Sequence, residues 1–187
     1  ISYDEVARRR ASGLLPSGQV PVLSIDGVVH AQSSALLRWA GGQSGLLPVD
    51  EHLQLSCDGV HESLADINVC LRPQWYGVVC GRSPTTGELL VPLSDEQKSS
   101  TCEFLNSLIL PKRFGMLEAQ LGSKDFFCGD KMTTADLSWY VMGAGILDGT
   151  YCDGISARVL EACPALVKLV GRIAQNPRVS EWNARTP

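Results

Sequence analysis

The feature that most constrains the fold is a short segment, residues 18–33, in which two apolar runs flank a turn. The turn is Asp26-Gly27, a dipeptide typical of a two-residue β-hairpin. Gln32 and Ser33 follow the second run directly and open a helical run over residues 34–39. The segment therefore predicts a strand, a tight turn, a second strand and the start of a helix.

Pro21 stands at the start of the first predicted strand, where proline removes a donor from the ladder. It is a candidate cis-proline, which would turn the backbone of Val20 outward. The segment would then offer a free backbone edge beside a helix N-terminus. The edge can pair with a peptide and the helix end can hold a carboxylate, so the segment suits a small peptide such as glutathione.

The rest of the chain has a helical pattern. A flexible break is predicted at residues 41–45, with Pro48 just after it. We expect a domain boundary there, with a strand-containing domain over residues 1–42 and an all-helical domain over residues 48–187. The first long helix of the second domain, expected to end at Arg72-Pro73, carries an apolar stripe formed by Leu53, Cys57, Val60, Leu64, Ile67 and Leu71.

Local signals mark the later helices. A loop is predicted over residues 81–92, and Ser94 to Gln97 form a capping box for the next helix. Pro111 should kink or interrupt that helix. Thr133 and Asp136 have the spacing of an N-cap and its acidic partner, for which we predict a structural role. Pro164 begins the last long helix, which Asn176-Pro177 should end.

Cysteine usage and charge exclude several classes of protein. The seven cysteines include no CxxC pair and no zinc spacing, which predicts reduced, mostly buried thiols, a cytoplasmic location and no metal. The net charge of −4 argues against nucleic acid or an anionic membrane as a partner. No apolar run approaches the roughly 18 residues of a membrane span, and no secretory signal is visible.

Three ordered segments resemble the cytosolic glutathione transferase family, and among its classes the sigma-like enzymes. They are residues 18–33, residues 129–137, and residues 163–166 with 176–179. The resemblance implies an α+β fold, with a truncated thioredoxin-like α/β domain followed by an all-α domain. The family's opening strand, helix and strand have no counterpart here, so we expect such a segment to precede Ile1.

The resemblance also implies a set of glutathione-binding residues. Val20, before Pro21, would pair its backbone with the cysteinyl unit, and Gln19 would add a side-chain amide. Gln32 and Ser33 would hold the γ-glutamyl carboxylate through an amide, a hydroxyl and the helix end. The blander alternatives are that Asp26-Gly27 is only a hairpin turn, that Pro21 is an ordinary edge-strand proline, and that Ser33 is only an N-cap.

Two charged residues complete the set that the resemblance implies. Arg10 would pair with the glycyl carboxylate, although Val6 stands where sigma-like relatives have a tryptophan. Asp66 would reach across a homodimer to the γ-glutamyl ammonium. Its alternative is a solvated position on a helix surface.

No catalytic residue can be assigned in this numbering. The family lowers the pKa of the thiol with a Tyr, Ser or Cys near the end of its first strand, and Tyr3 comes too late to serve. An apolar electrophile pocket would draw on Trp75, Tyr76 and Trp182, for each of which core packing is the alternative. His61 is predicted to face solvent.

The favoured function is conjugation of the glutathione thiolate to small hydrophobic electrophiles, as in detoxification, by a cytoplasmic homodimer that needs no metal. Glutathione-dependent isomerase or peroxidase chemistry would share the same thiol site. A non-catalytic, glutathione transferase-like interaction module would have the same fold. A Cys-type thiol transferase is a further alternative.

Overall fold

The structure is a computed structural model that describes residues 3–75 and 88–185. The predictions for Tyr76 and for part of the loop at residues 81–92 lie outside the described residues, as does Cys80. In chain order the described elements are α1 (Tyr3–Ala11), β1 (Val22–Ile25), β2 (Val28–Ala31), α2 (Ser33–Ser44), α3 (Glu51–Gln74), α4 (Asp95–Phe104), a π-helical segment (Leu105–Ile109), α5 (Leu110–Leu121), α6 (Thr134–Asp148), a 3-10 turn (Ala157–Leu160), α7 (Pro164–Ala174) and α8 (Pro177–Arg185).

The predicted hairpin is confirmed. Strands β1 and β2 are antiparallel, with Val22 opposite Ala31 and Ile25 opposite Val28. Asp26 and Gly27 have φ angles of 48° and 83°, both positive, which is the geometry of a type I′ turn. The peptide bond before Pro21 is cis, as the sequence predicted.

Helix α2 is longer than predicted, and the break expected at residues 41–45 is wrong. The helix runs through Gly41 and ends at Ser44, where Gly45 adopts a left-handed conformation with φ 72°. A Cβ on Gly41 would lie 2.7 Å from Cγ2 of Thr134. The glycine thus allows α2 to approach the start of α6 and does not interrupt the helix. The domain boundary between residues 42 and 48 remains a prediction.

Helix α3 buries most of the stripe that the sequence predicted. All of its members lie in the core except Leu53, which is 41% exposed in the first turn. The helix also continues past Pro73 to Gln74, whose buried side-chain amide donates to the carbonyl of Lys98 at 3.0 Å. Helix α3 thus extends one residue beyond the predicted end at Arg72-Pro73.

The interruption predicted at Pro111 is confirmed as a change of helix type. Ser94 begins α4 with the predicted capping box, in which its side chain accepts from the N–H of Gln97. Where the π-helical segment meets α5, the N–H of Leu110 donates to the carbonyl of Leu105, an i→i−5 bond typical of a π-bulge. The proline then occupies the first turn of α5.

The start of α6 is a buried hydrogen-bonded box around Asp136. This carboxylate has no exposed surface. It accepts from the backbone N–H of Phe127 at 2.8 Å and from the N–H and hydroxyl of Thr133 at 2.7 and 2.8 Å. Burial raises the pKa of Asp136, while the three donated hydrogen bonds lower it. The structural role predicted for this residue matches the geometry.

The C-terminal helices close the core around α6. The indole N–H of Trp139 donates to the carbonyl of Leu166 in α7 at 3.0 Å. Asn176-Pro177 ends α7 as predicted, but Pro177 also begins α8, which the sequence analysis missed. Proline at a first helical position is common, because its missing N–H would have no intrahelical partner. Within the described residues, no helix has both the length and the apolar character to cross a membrane.

Adjacent glycines in α2 provide a matched test of this packing. We expect Gly41→Ala to lower the free energy of unfolding by about 1–3 kcal/mol, because the new methyl group overlaps Thr134. A Cβ on Gly42, by contrast, would have no atom within 4 Å. Gly42→Ala should therefore raise the free energy of unfolding by about 0.5–1 kcal/mol through helix propensity. Equal midpoints in urea unfolding for the two variants would contradict the contact.

Removing the carboxylate of Asp136 should lower the free energy of unfolding by more than the loss of an ordinary helix cap does. In Asp136→Ala the buried N–H groups of Phe127 and Thr133 lose their acceptor, at a cost of about 1–3 kcal/mol each. Chemical denaturation measures the free energy of unfolding. The control is Glu62→Ala, at an exposed position of α3. Its free energy of unfolding should lie within about 0.5 kcal/mol of the value for the parent protein. Similar stabilities for the two variants would rule out the box as a major stabilising contact.

Candidate functional site

The hairpin register brings two predicted binding segments to one end of the sheet. Because Val22 pairs with Ala31, the residues just before β1 and just after β2 are neighbours across the ladder. Val20 and Pro21 therefore lie beside Gln32 and Ser33. Val20 is 43% exposed, so this residue lies at the protein surface.

The N-terminus of α2 carries no side-chain cap. Gln32 occupies the N-cap position with φ 77° and ψ 110°, and its side chain makes no capping hydrogen bond. Ser33 is the first helical residue, so the alternative in which Ser33 is the N-cap does not match the geometry. The first N–H groups of a helix have no intrahelical acceptor, and residues 33–35 are exposed here. The helix end therefore presents donors and a partial positive charge to solvent.

A positive φ at Gln32 is uncommon for a residue other than glycine. Such a conformation costs about 1–3 kcal/mol and is found disproportionately at functional positions. It allows the chain to pass from β2 into α2 within a single residue, which keeps Ser33 close to the sheet end.

Arg10 reaches the same region from α1. Its Nε donates to the carbonyl of Gly18 at 2.6 Å, across the loop that leads to Gln19. Gly18 has φ 69°, a left-handed conformation that turns its carbonyl toward the arginine. A guanidinium has five N–H donors, so this bond engages only one of them. The structure thus brings Arg10, the exposed Gln19 and the Val20 edge into one region.

Asp66 lies apart from this region. It is on an exposed face of α3, with Oδ2 3.6 Å from Nη1 of Arg113 in α5. The role that the sequence analysis gave it depends on a second subunit. Its participation in the site therefore remains a prediction.

A cavity of about 430 Å³ adjoins Ser33. It lies between α2, α3 and α6, and its lining includes Ser33, Leu37, His61, Asn68, Val141 and Tyr151. The phenol of Tyr151 donates to Oδ1 of Asn68 at 2.7 Å, and burial raises the pKa of Tyr151. The wall of this cavity thus combines apolar side chains with polar ones, among which Tyr151 and Asn68 are hydrogen-bonded to each other.

His61 does not face solvent, contrary to the sequence prediction. It is partly buried, and its Nε2 lies 3.0 Å from the hydroxyl of Thr134. Its position four residues after Cys57, on the flank of the apolar stripe, was the available signal. Asn68 and Tyr151 are 83 residues apart, and no sequence pattern relates them.

Trp75 and Trp182, which the sequence analysis assigned to an electrophile pocket, lie in different places. Trp182 lines a second cavity, of about 420 Å³, with Tyr140 and Val141. Trp75 packs against Tyr151, with ring centroids 5.4 Å apart, and donates its indole N–H to the carbonyl of that residue. Within the described residues, no group of three or more His, Cys, Asp or Glu side chains is arranged to hold a metal ion.

Comparison with known protein families decides the family. The model for "Glutathione S-transferase, C-terminal domain" matches residues 88–186, just over half of the chain. This protein belongs to the glutathione S-transferase family. Its two-stranded sheet and helical remainder are the corresponding parts of that fold, as the sequence predicted.

Relatives of this glutathione S-transferase occur in vertebrates and nematodes. Hematopoietic prostaglandin D synthase of Gallus gallus is 24% identical over 176 residues, which cover 92% of this chain and 75% of the relative. Glutathione S-transferase 2 of Caenorhabditis elegans is 30% identical over 148 residues, 73% of this chain and 71% of the relative. Members of the family use glutathione as a substrate.

Solved structures agree on the fold. Monomeric Na-GST-3 from Necator americanus has a TM-score of 0.79 at 22% identity, and the match covers all of this chain and 82% of that one. Rat hPGDS in complex with a quinoline has a TM-score of 0.76 at 23% identity, with the same coverage. At these identities the likeness establishes the fold alone.

Proposed function

We propose that this chain binds glutathione at the end of the β1–β2 hairpin and conjugates its thiolate to small hydrophobic electrophiles. The observation that carries the proposal is the meeting of three features in one region. These are the exposed backbone edge at Val20, the uncapped N-terminus of α2 at Ser33 and the cation of Arg10.

Each feature matches a different part of the tripeptide. The backbone N–H and C=O of Val20 can pair with the cysteinyl unit as an added strand would. The donors at the start of α2 and the hydroxyl of Ser33 can hold the γ-glutamyl carboxylate, helped by the helix dipole. Arg10 supplies a cation for the glycyl carboxylate, and Gln19 and Gln32 supply side-chain amides.

The chemistry follows from holding the thiolate in place. A hydrogen bond donated to sulfur lowers the pKa of the thiol, and an electrophile bound next to it then reacts at high effective concentration. We assign the donor to no residue of this chain. Tyr151 donates to Asn68, and Tyr140 accepts from Asn183 at 2.6 Å in the helical part of the protein.

The remaining predictions extend this proposal. We place the glutathione-binding domain within residues 1–42 and the helical domain within residues 48–187. We also propose a sigma-like enzyme that acts in cytoplasmic detoxification as a homodimer, with Asp66 contributing to the partner's site. The alternative is that this protein is a monomer, because the similar structure of Na-GST-3 from Necator americanus is described as monomeric.

A glutathione-dependent isomerase is the second candidate function. The similarity to hematopoietic prostaglandin D synthase favours it. The two functions share the glutathione site and differ in the second substrate. Conjugation of a chlorodinitrobenzene supports the first, and formation of prostaglandin D supports the second. Glutathione binding with neither activity would support a non-catalytic interaction module.

The site makes a direct prediction for Ser33. We expect Ser33→Ala to weaken glutathione binding by about 10- to 150-fold, because a hydrogen bond to a charged group contributes about 1.5–3 kcal/mol. Isothermal titration calorimetry with reduced glutathione measures the change. The matched control is Ser44→Ala at the other end of α2, where the hydroxyl bonds only to the backbone of its own helix.

The control variant should retain the affinity of the parent protein. An unchanged affinity in Ser33→Ala, with the parent binding glutathione normally, would remove Ser33 from the site. An equal loss in both variants would indicate that α2 as a whole is disturbed and would argue against a local contact.

A further inference from the structure

The cavity that adjoins Ser33 contains an amide group whose orientation is fixed. Asn68, on α3, is part of the cavity lining, and its Oδ1 accepts the phenol O–H of Tyr151 at 2.7 Å. A carboxamide has its acceptor oxygen on one side and two N–H donors on the other. Since the phenol engages the oxygen, the two N–H donors of Asn68 lie on the side away from Tyr151.

The amide nitrogen of Asn68 is accessible and has no partner among the described residues. Within residues 3–75 and 88–185, Nδ2 of Asn68 makes no hydrogen bond, and no buried side-chain nitrogen or oxygen atom lacks a partner. Asn68 is only partly buried, so its unpaired nitrogen is one of its accessible atoms. Because the residue lines the cavity, these donors are available to a molecule that binds there.

Tyr151 is held from several sides and keeps the amide in this orientation. Its backbone N–H donates to the carbonyl of Gly145 at 2.9 Å, and its own carbonyl accepts from the indole N–H of Trp75 at 3.2 Å. The rings of Tyr151 and Trp75 also pack, with centroids 5.4 Å apart. Burial raises the pKa of Tyr151, so the phenol stays protonated and remains the donor in its bond to Asn68.

A fixed N–H donor in this cavity suits an electrophile that gains negative charge on an oxygen atom. The cavity, of about 430 Å³, has room for a small molecule and includes Ser33 in its wall. In the proposed site Ser33 holds the γ-glutamyl carboxylate, and the cysteinyl unit follows directly, so the thiolate is carried close to the same cavity. A preorganised donor contributes most where charge develops during the reaction, because it needs no reorganisation at that moment.

We propose that Asn68, positioned by Tyr151, selects electrophiles in which a carbonyl group is conjugated to the reacting carbon. This inference rests on the proposed glutathione site and adds a specificity-determining residue to it. The glutathione thiolate bonds to the β-carbon, and the electron pair of the C=C bond moves toward the carbonyl. The enolate oxygen that forms accepts a hydrogen bond from the amide of Asn68. A proton from solvent then adds to the α-carbon, which gives a thioether without a leaving group.

Other polar groups of the cavity lack this combination of a free donor and a fixed orientation. Nε2 of His61 lies 3.0 Å from the hydroxyl of Thr134 and is engaged there. Ser138, on α6, also lines the cavity, but a hydroxyl hydrogen rotates to suit its surroundings. Ser138→Ala is therefore the matched control for substitutions of Asn68.

The first test compares two electrophiles in Asn68→Asp, which keeps an acceptor oxygen for Tyr151 and removes the N–H donors. We expect kcat/KM for benzylideneacetone, an unsaturated ketone, to fall about 10- to 100-fold relative to kcat/KM for benzyl chloride, which contains no oxygen. The ratio corrects for any effect of the new charge on the glutathione thiolate, because both reactions share it. Tyr151→Phe should lower the same ratio by a smaller factor, and Ser138→Ala should leave it unchanged.

The second test measures binding to the parent protein, with two glutathione S-conjugates that differ in a carbonyl group. In isothermal titration calorimetry, the conjugate of methyl vinyl ketone should bind about 2- to 10-fold more tightly than S-butylglutathione, and Asn68→Asp should remove the difference. Equal affinities in the parent, or an unchanged ratio of kcat/KM values in Asn68→Asp, would overturn the role of Asn68. If neither conjugate nor glutathione binds, the proposed glutathione site fails, and this inference fails with it.

Discussion

The first turn of α6 is the contact on which the rest of the structure depends. Asp136 ties this turn to the preceding loop through Phe127 and Thr133. The next residue, Thr134, donates its N–H to the carbonyl of Leu46 at 3.0 Å and places its methyl group against α2. Its hydroxyl contacts His61 of α3. This one turn thereby contacts α2, α3, the loop that contains Leu46 and the loop that contains Phe127.

This contact also sets the geometry of the proposed glutathione site. The C-terminal half of α2 is fixed at Gly41 against α6, and Arg38 ties the same helix to Gln54 of α3 at 2.9 Å. The N-terminus of α2 is then left at the end of the hairpin, where the strand register places Val20 beside Ser33. A rigid helix end and a rigid backbone edge reduce the entropy lost when a flexible tripeptide binds.

Sequence reasoning succeeded where the signal is local. The Asp26-Gly27 turn, the box at Asp136 and the change of helix type before Pro111 each depend on a few neighbouring residues. It failed where tertiary contacts override local preference. Gly41 belongs to a glycine-rich stretch that is typical of a loop, yet it lies inside α2. Its missing side chain lets the helix pack closely against Thr134 of α6. Sγ of Cys57 lies 3.4 Å from the hydroxyl of Thr134, which is 77 positions away, and no spacing rule could have predicted this contact.

Amide chemical-shift mapping with reduced glutathione tests the central claim most directly. In ¹H–¹⁵N spectra of the protein, the account predicts that the largest shifts fall on Gln19, Val20 and the first residues of α2, from Gln32 to Ala35. Arg10 should shift with them. Shifts concentrated in the C-terminal helices, or no saturable shifts at millimolar glutathione, would contradict a site built from the hairpin end and the N-terminus of α2.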